Sequence, residues 1–261
     1  SYERYLDILK TPYGMLLCSG PTGSGKTTTL YASLAKLNTP ERKIITVEDR
    51  VEYRLPGINQ VQVSEAVGLS FSAALRAMLR QAPNVIMLGE IRDLETASIA
   101  INASLTGHLV MSTLHTNSAV ETVTRLLDMG CDAFNFSDAM LGVLAQRLCK
   151  CLCLHCKEAY HPDRQEFDDL VQAYGVSEWE RGRVHYSPDL ILYKAHGCER
   201  CNNSGFKGRT ALHELLVGSD EMKRCIQSRA RTAEIAEVAK REGMVTLLQH
   251  GIQKIFEGVT T

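Results

Sequence analysis

The sequence predicts an α/β protein with a mostly parallel sheet covered by helices, then a cysteine-bearing insertion and a helical C-terminal lobe. Three observations carry this. Between residues 14 and 148, short continuous apolar runs alternate with helix-length stretches, the pattern of strands buried on both faces. Two Cys-x-x-Cys pairs, Cys153/Cys156 and Cys198/Cys201, fall between residues 149 and 210. Residues 211–258 return to helical spacing. The expected divisions are therefore 1–148, 149–210 and 211–261.

Each element follows from local pattern. Gly14–Ser19 reads as a strand and Lys26–Leu37 as the helix after it. Lys43–Glu48 is a second strand, its Ile44, Ile45, Thr46 and Val47 all β-branched. Phe71–Gln81 has apolar residues at 71, 74, 75, 78 and 79, a helical period. Val85–Leu88 is a wholly apolar strand, Leu94–Leu105 a helix and His108–Thr113 a further strand. Ser118-Ala-Val-Glu121 has the form of a capping box, opening a helix that Gly130 closes. Cys149 and Cys151 read as lying at a helix end, and Ala233–Arg241 reads as a helix.

Composition narrows the function classes. The chain has 261 residues, with 29 Lys+Arg against 30 Asp+Glu, a formal charge of −1. At 44% hydrophobic and 23% charged it is an ordinary globular sequence, not a disordered one. A dedicated nucleic-acid binder would carry a basic excess. No apolar run reaches the roughly 18 residues of a membrane helix. The polar start Ser-Tyr-Glu-Arg-Tyr predicts no export signal, so nine cysteines without a disulfide framework point to a reducing, cytoplasmic setting.

The chemistry begins at Gly20-Pro21-Thr22-Gly23-Ser24-Gly25-Lys26-Thr27, which satisfies G-x-x-x-x-G-K-[ST], with Thr28 following. It lies between a strand and a helix, the context in which this pattern cradles phosphate. The glycines let successive N–H groups turn toward phosphate oxygens at the positive end of the helix. Lys26 is expected to reach the β/γ-phosphates, and the Thr27 hydroxyl to ligate Mg²⁺. No Asn-Lys-x-Asp guanine reader occurs, so ATP is the expected nucleotide.

Val85-Ile-Met-Leu-Gly-Glu90 is a second strand-end motif, with Gly89 where an Asp commonly serves Mg²⁺. Alone, Glu90 reads more often as a solvated cap or ion pair; beside the phosphate loop the preference reverses, to the carboxylate that orients or deprotonates water. Glu48, Asp49 and Glu52 follow another strand and are either a charged loop or the metal-side carboxylates. His108 and His115 bracket Leu109–Leu114 and are expected to sense the γ-phosphate. Cys153, Cys156, Cys198 and Cys201 have the pairwise spacing of a tetrahedral zinc site, with reduced free thiols as the alternative.

Four ordered boxes now resemble those of the bacterial type II secretion / type IV pilus ATPase family. They are Gly20–Thr27, Thr46–Tyr53, Gly89–Ala97 and Thr106–Asn117, similar to its Walker A, Asp, Walker B and His boxes. The resemblance runs from about Pro12 to the C-terminus. It implies a RecA-like core and a homo-hexameric ring in which ATP hydrolysis extrudes pilin or pseudopilin, acting with an inner-membrane platform protein. It implies a cytoplasmic location, held peripherally at the inner membrane through partners. By the same resemblance Lys26 and Thr27 hold phosphates and Mg²⁺, Glu90 is catalytic, and Glu48, Asp49 and Glu52 support metal and water. His108 and His115 resemble the His-box pair, and the cysteines resemble the tetracysteine zinc loop of extrusion rather than retraction motors. Arg50 stands where the family's Asp box has Pro. The resemblance further implies upstream domains that supply γ-phosphate arginines, so these residues are expected to bind ATP but hydrolyse it slowly. A nucleic-acid translocase on the same core would need a basic, aromatic channel, against which stand the balanced charge and 6% aromatic content. No nucleic-acid partner is expected.

Overall fold

The computed structural model describes residues 2–180 and 184–261. In chain order the elements are α1 (Tyr2–Leu9), β1 (Gly14–Ser19), α2 (Lys26–Leu37), β2 (Ile44–Glu48), β3 (Asn59–Gln62), α3 (Phe71–Leu79) and β4 (Val85–Leu88). Next come α4 (Leu94–Leu105), β5 (Leu109–Leu114), α5 (Ala119–Asp128), α6 (Ala133–Ala139) and β6 (Met140–Leu152). The remainder is β7 (Glu158–Tyr160), α7 (Arg164–Tyr174), α8 (Val176–Trp179), β8 (Leu192–Lys194), β9 (Phe206–Val217), α9 (Asp220–Gln227), α10 (Thr232–Arg241) and α11 (Leu247–Phe256).

Packing divides the chain into two units. One is Ser1–Gln146 with Glu214–Met244; the other is Arg147–His213 with Val245–Thr261. This differs from the expected divisions at 148 and 210, because the helices after β9 are shared out. Helix α9 packs on α6 and α10 on α5, whereas α11 packs on α7. Cys149 and Cys151 lie in β6, not at a helix end.

Seven strands hydrogen-bond in the order β3-β2-β4-β5-β1-β6-β9. The pairings of β1 with β5 and β6, of β2 with β3 and β4, and of β4 with β5 are parallel. Every residue of β1, β2, β4 and β5 is buried, as the unbroken apolar runs require. Register brings the strand ends together: Ser19 pairs with Leu114, Leu88 with Ser112 and Val47 with Leu88. The loops after β1, β2, β4 and β5 therefore leave from one edge, where ligands of such sheets bind.

Helix α2 turns Leu30, Leu34 and Leu37 onto Leu16, Ile44, Met87 and Met111; each leucine so buried contributes about 1.5–3 kcal/mol. Ser70, Asp93, Ser118 and Asp132 cap α3, α4, α5 and α6 by accepting from the third N–H beyond them. The capping box at Ser118 is half formed. Ser118 Oγ accepts from the Glu121 N–H, while the Glu121 carboxylate accepts from the Asn117 N–H instead.

The second unit is built on a different core. Phe167, Tyr174, Trp179 and Ile252 are buried together, with Trp179 edge-on to Tyr174 at 5.1 Å. An antiparallel pair, β7 with β8, lies beside the cysteine segments in the chain. Helix α7, within the expected cysteine-bearing insertion, carries Phe167, Leu170, Val171 and Tyr174 at helical spacing after the Asp163 cap. No helix among the described residues is long and apolar enough to cross a membrane.

Candidate nucleotide site and metal centre

The loop Gly20–Gly25 leaves β1 and enters α2 without a side-chain cap. Gly25 takes the N-cap position in the left-handed region, at φ 84° and ψ 16°, a conformation that glycine adopts without Cβ strain. The first N–H groups of α2 thus remain available to an anion. Lys26 is only 9% exposed, and its ammonium donates to the Gly20 and Pro21 carbonyls at 2.7 and 2.9 Å. Burial lowers its pKa below the ordinary lysine value, against the opposing influence of Cys18 and Glu90. Ser24 Oγ is buried with no hydrogen-bond partner. An orphaned hydroxyl, an uncapped helix start and a lysine folded onto its own loop fit a triphosphate. Thr27 is half-buried and Thr28, with Pro21, Thr22 and Gly23, is exposed.

At the same sheet edge, β4 delivers Gly89 and Glu90. A Cβ on residue 89 would lie 3.3 Å from Glu48 Cα and 3.4 Å from the Val47 carbonyl, so the close approach of the β2 end leaves little room for an Asp there. Glu90 is largely shielded, its side chain 14% exposed, and its carboxylate meets Arg92 and His115. Arg92 pairs with Oε1, and His115 Nε2, just past β5, stands 3.6 Å from Oε2. Arg92 also lies 3.9 Å from Asp49. A cleft of about 140 Å³ opens here, lined by Asp49, Glu90, Arg92 and Asp93 among others.

Two expected site residues are placed elsewhere. His108 precedes β5, at the opposite edge of the sheet from His115, where Gly14 pairs with Leu109. Its Nδ1 is hydrogen-bonded to the Ala103 carbonyl at 2.9 Å. The two histidines bracket one strand and so cannot share one edge: six extended residues span about 20 Å. Glu48, expected as a second catalytic carboxylate, is 2% exposed and turned inward. Its Oε1 accepts from the Tyr31 hydroxyl, and its Oε2 from Thr46 at 2.6 Å and Gln60 at 3.4 Å. Burial and Glu48 together push the Tyr31 hydroxyl above the usual tyrosine range. Glu52 is exposed; its backbone N–H donates to the same Tyr31 oxygen at 3.4 Å. Arg50 is likewise exposed.

Sequence reasoning passed over Tyr31 and Gln146. The signal for Tyr31 was a large polar-tipped residue among the apolar positions of a helix that follows a phosphate loop. Gln146 was visible only as a polar residue ending the apolar run 143–145.

In the second unit the four cysteines converge. Their sulfurs all lie within 4.8 Å of one another, with Cys153–Cys198 at 4.0 Å and Cys156–Cys201 and Cys198–Cys201 each at 3.8 Å. Metal–sulfur bonds of about 2.3 Å give tetrahedral edges of about 3.8 Å, so the set fits a four-coordinate ion. Backbone N–H groups support the sulfurs: Gly197 donates to Cys156, and Cys198 and Gly205 to Cys201, at 3.2–3.3 Å. Burial would raise the Cys201 thiol, but those two N–H donors and the adjacent thiols bring it below its usual value. The Gly205 carbonyl accepts from the Cys153 N–H at 2.9 Å, and the residue leads into β9. His155 is exposed and lies against Arg200 at 3.0 Å, outside the sulfur cluster.

A parallel sheet that presents a phosphate loop and a shielded glutamate at one edge defines a P-loop α/β nucleotide-binding protein. Residues 1–261 match the family model described as Type II/IV secretion system protein; the chain belongs to that family. It is 48% identical over 260 residues to the type IV pilus assembly ATPase PilB of Thermus thermophilus, covering all of this chain and 28% of that protein. It is 47% identical over 264 residues to the type II secretion system ATPase E of Vibrio cholerae, covering all of this chain and 49% of that one. The chain thus spans about half or less of the length of these relatives. Among solved structures, the pilus retraction motor PilT with bound ADP superposes with a TM-score of 0.71 at 28% identity. That match covers 99% of this chain and 62% of PilT. The Legionella pneumophila ATPase DotB, at TM-score 0.67 and 23% identity, shares the fold. The RecA-like core is therefore the fold of the first unit.

Proposed function

We propose that this chain is the ATP-hydrolysing region of a motor subunit that extrudes pilin or pseudopilin fibres, in type IV pilus assembly or type II secretion. The observation that carries it is the meeting of Lys26, Glu90 and His115 at one sheet edge, in a chain with family relatives named for these tasks. The loop N–H groups and Lys26 hold the phosphates, with Lys26 exchanging the Gly20 and Pro21 carbonyls for phosphate oxygens. Glu90 takes the proton of the attacking water, and His115 and Arg92 keep its carboxylate aimed. Thr27, with Asp49 in the same site, would hold Mg²⁺, which would supply neutralisation of phosphate charge. Glu48 acts as a buckle between α2 and β2 rather than on the water. Zinc is the ion we assign to the four cysteines, as thiolate sets of this geometry select it. The higher identity to assembly and secretion ATPases than to the retraction motor supports extrusion. We place the working subunit in a hexameric ring, in the cytoplasm, docked on an inner-membrane platform protein.

The test is Mg-ATP turnover with and without the cytoplasmic part of such a platform protein. Lys26→Ala is expected to lose turnover by at least about 10²-fold and to bind ATP more weakly. Glu90→Gln is expected to keep binding and lose about 10²–10⁴-fold in rate. Parental turnover by Glu90→Gln would overturn the assignment of the base, and stimulation by DNA instead of the platform protein would overturn the motor reading.

A further inference from the structure

Gln146 touches the phosphate loop from a neighbouring strand, and the chemistry above leaves it unused. It follows Ala145 on β6, which pairs with Ser19 at the end of β1, and it is 2% exposed. Its Nε2 donates to the Ser24 carbonyl at 2.7 Å. Its Oε1 accepts from the Thr29 hydroxyl at 2.7 Å. Since a carbonyl only accepts, the NH₂ end of the amide must face the loop. One side chain thus bridges the phosphate loop and the first turn of α2.

The peptide it holds is a vulnerable one. Gly23 and Gly25 flank Ser24 with φ of 78° and 84°, and glycines pass between positive and negative φ at little cost. In a trans peptide C=O and N–H point in opposite directions. Pinning the Ser24 carbonyl against Gln146 therefore turns the Gly25 N–H away from β6. A flip of this peptide would exchange an N–H for a carbonyl oxygen in the anion-binding loop. The main chain adds to the grip: a Cβ on Gly20 would lie 2.4 Å from the Gln146 carbonyl.

We propose that Gln146 is a positioning residue for phosphate binding, holding the Ser24–Gly25 peptide in its anion-binding orientation. The inference rests on the nucleotide-binding reading and acts through the loop. It predicts a split between affinity and rate. Gln146→Leu should raise the KM for ATP and the Kd for ADP about tenfold, the effect of one lost hydrogen bond at a charged site. The kcat at saturating ATP should stay within about threefold, because Glu90 and His115 are untouched. Gln146→Glu keeps the acceptor for Thr29 but loses the donor to Ser24, and should lose at least as much affinity. Thr29→Val leaves the amide in place without its far anchor and should lose less.

The experiment is calorimetric Mg-ADP and Mg-ATP binding plus steady-state kinetics for the parent and the three variants, with urea unfolding of each without nucleotide. If Gln146→Leu does not fold, Gln146→Glu and Thr29→Val decide. Folded variants with parental Kd and KM would overturn the inference, as would a fall in kcat at unchanged Kd. A parent that binds neither nucleotide would overturn the nucleotide-binding reading and this inference with it. A parent that binds, with variants that bind equally, overturns the inference alone.

Discussion

Tyr31 is the residue through which the phosphate-loop helix grips the segment after β2. Its hydroxyl donates to buried Glu48 and accepts from the Glu52 N–H and the Gln60 side chain, while its ring sits edge-on to Tyr53 at 4.8 Å. Removing that hydroxyl leaves a buried carboxylate short of a donor. Tyr31→Phe is therefore expected to lower stability by about 1–3 kcal/mol, read from urea unfolding. Turnover should fall less than in Glu90→Gln, because the hydroxyl's partners are structural. The residue types were legible in the sequence, but their directions were not. Glu48 and Glu90 both end apolar strands. Only the packing of α2 across β2 decides that the first is sealed inside, while the second meets Arg92 and His115.

Among the helices, α2 stands apart from α3, α4, α5 and α6, whose starts are closed by Ser or Asp side chains. A helix left open at Gly25 suits a phosphate; one closed by Ser118 serves stability. In the second unit, β9 and α11 meet through the His213 N–H, which donates to His250 Nδ1 at 2.9 Å. Burial lowers both histidine pKa values, helped by the opposite histidine and Lys254 at His213, and by Lys254 at His250. A histidine pKa lowered on folding gives stability present above the unfolded value, about 6.5, and lost as pH falls below it. Protonating Nδ1 would also remove the acceptor. The melting temperature of this unit should therefore decline as pH falls from 7 toward 5, and His250→Gln, which retains an acceptor, should flatten that decline. An unchanged slope in the variant would remove the His213–His250 contact as its cause.

At the scale of the whole chain, each unit has its own means of stability. The first has a buried parallel sheet; the second has a small aromatic core and a four-cysteine centre. Metal-binding free energy in such a centre is largely folding free energy. Chelation should therefore lower the melting of the unit formed by residues 147–213 and 245–261 far more than that of the other, as followed by Trp179 fluorescence, since Trp179 belongs to that core. Elemental analysis should find one zinc per chain. A paired Cys149→Ser and Cys151→Ser variant should retain it, because both residues lie outside the sulfur cluster. Loss of metal in that variant would show that the ligand set is different.

The sequence by itself determined the strand–helix alternation, the phosphate loop with its helix, the cysteine spacing and the family, because each is written in local order: period, glycine placement, paired ligands. Tertiary structure decided what local order cannot carry. Parallel register brought Glu90 and His115 to one edge, and the Tyr31 and Thr46 hydroxyls hold Glu48 inward. β6 brought Gln146 to a loop 122 residues earlier. The helices after β9 were divided between two units because α9 and α10 bury their apolar faces on α6 and α5, while α11 buries its own on α7.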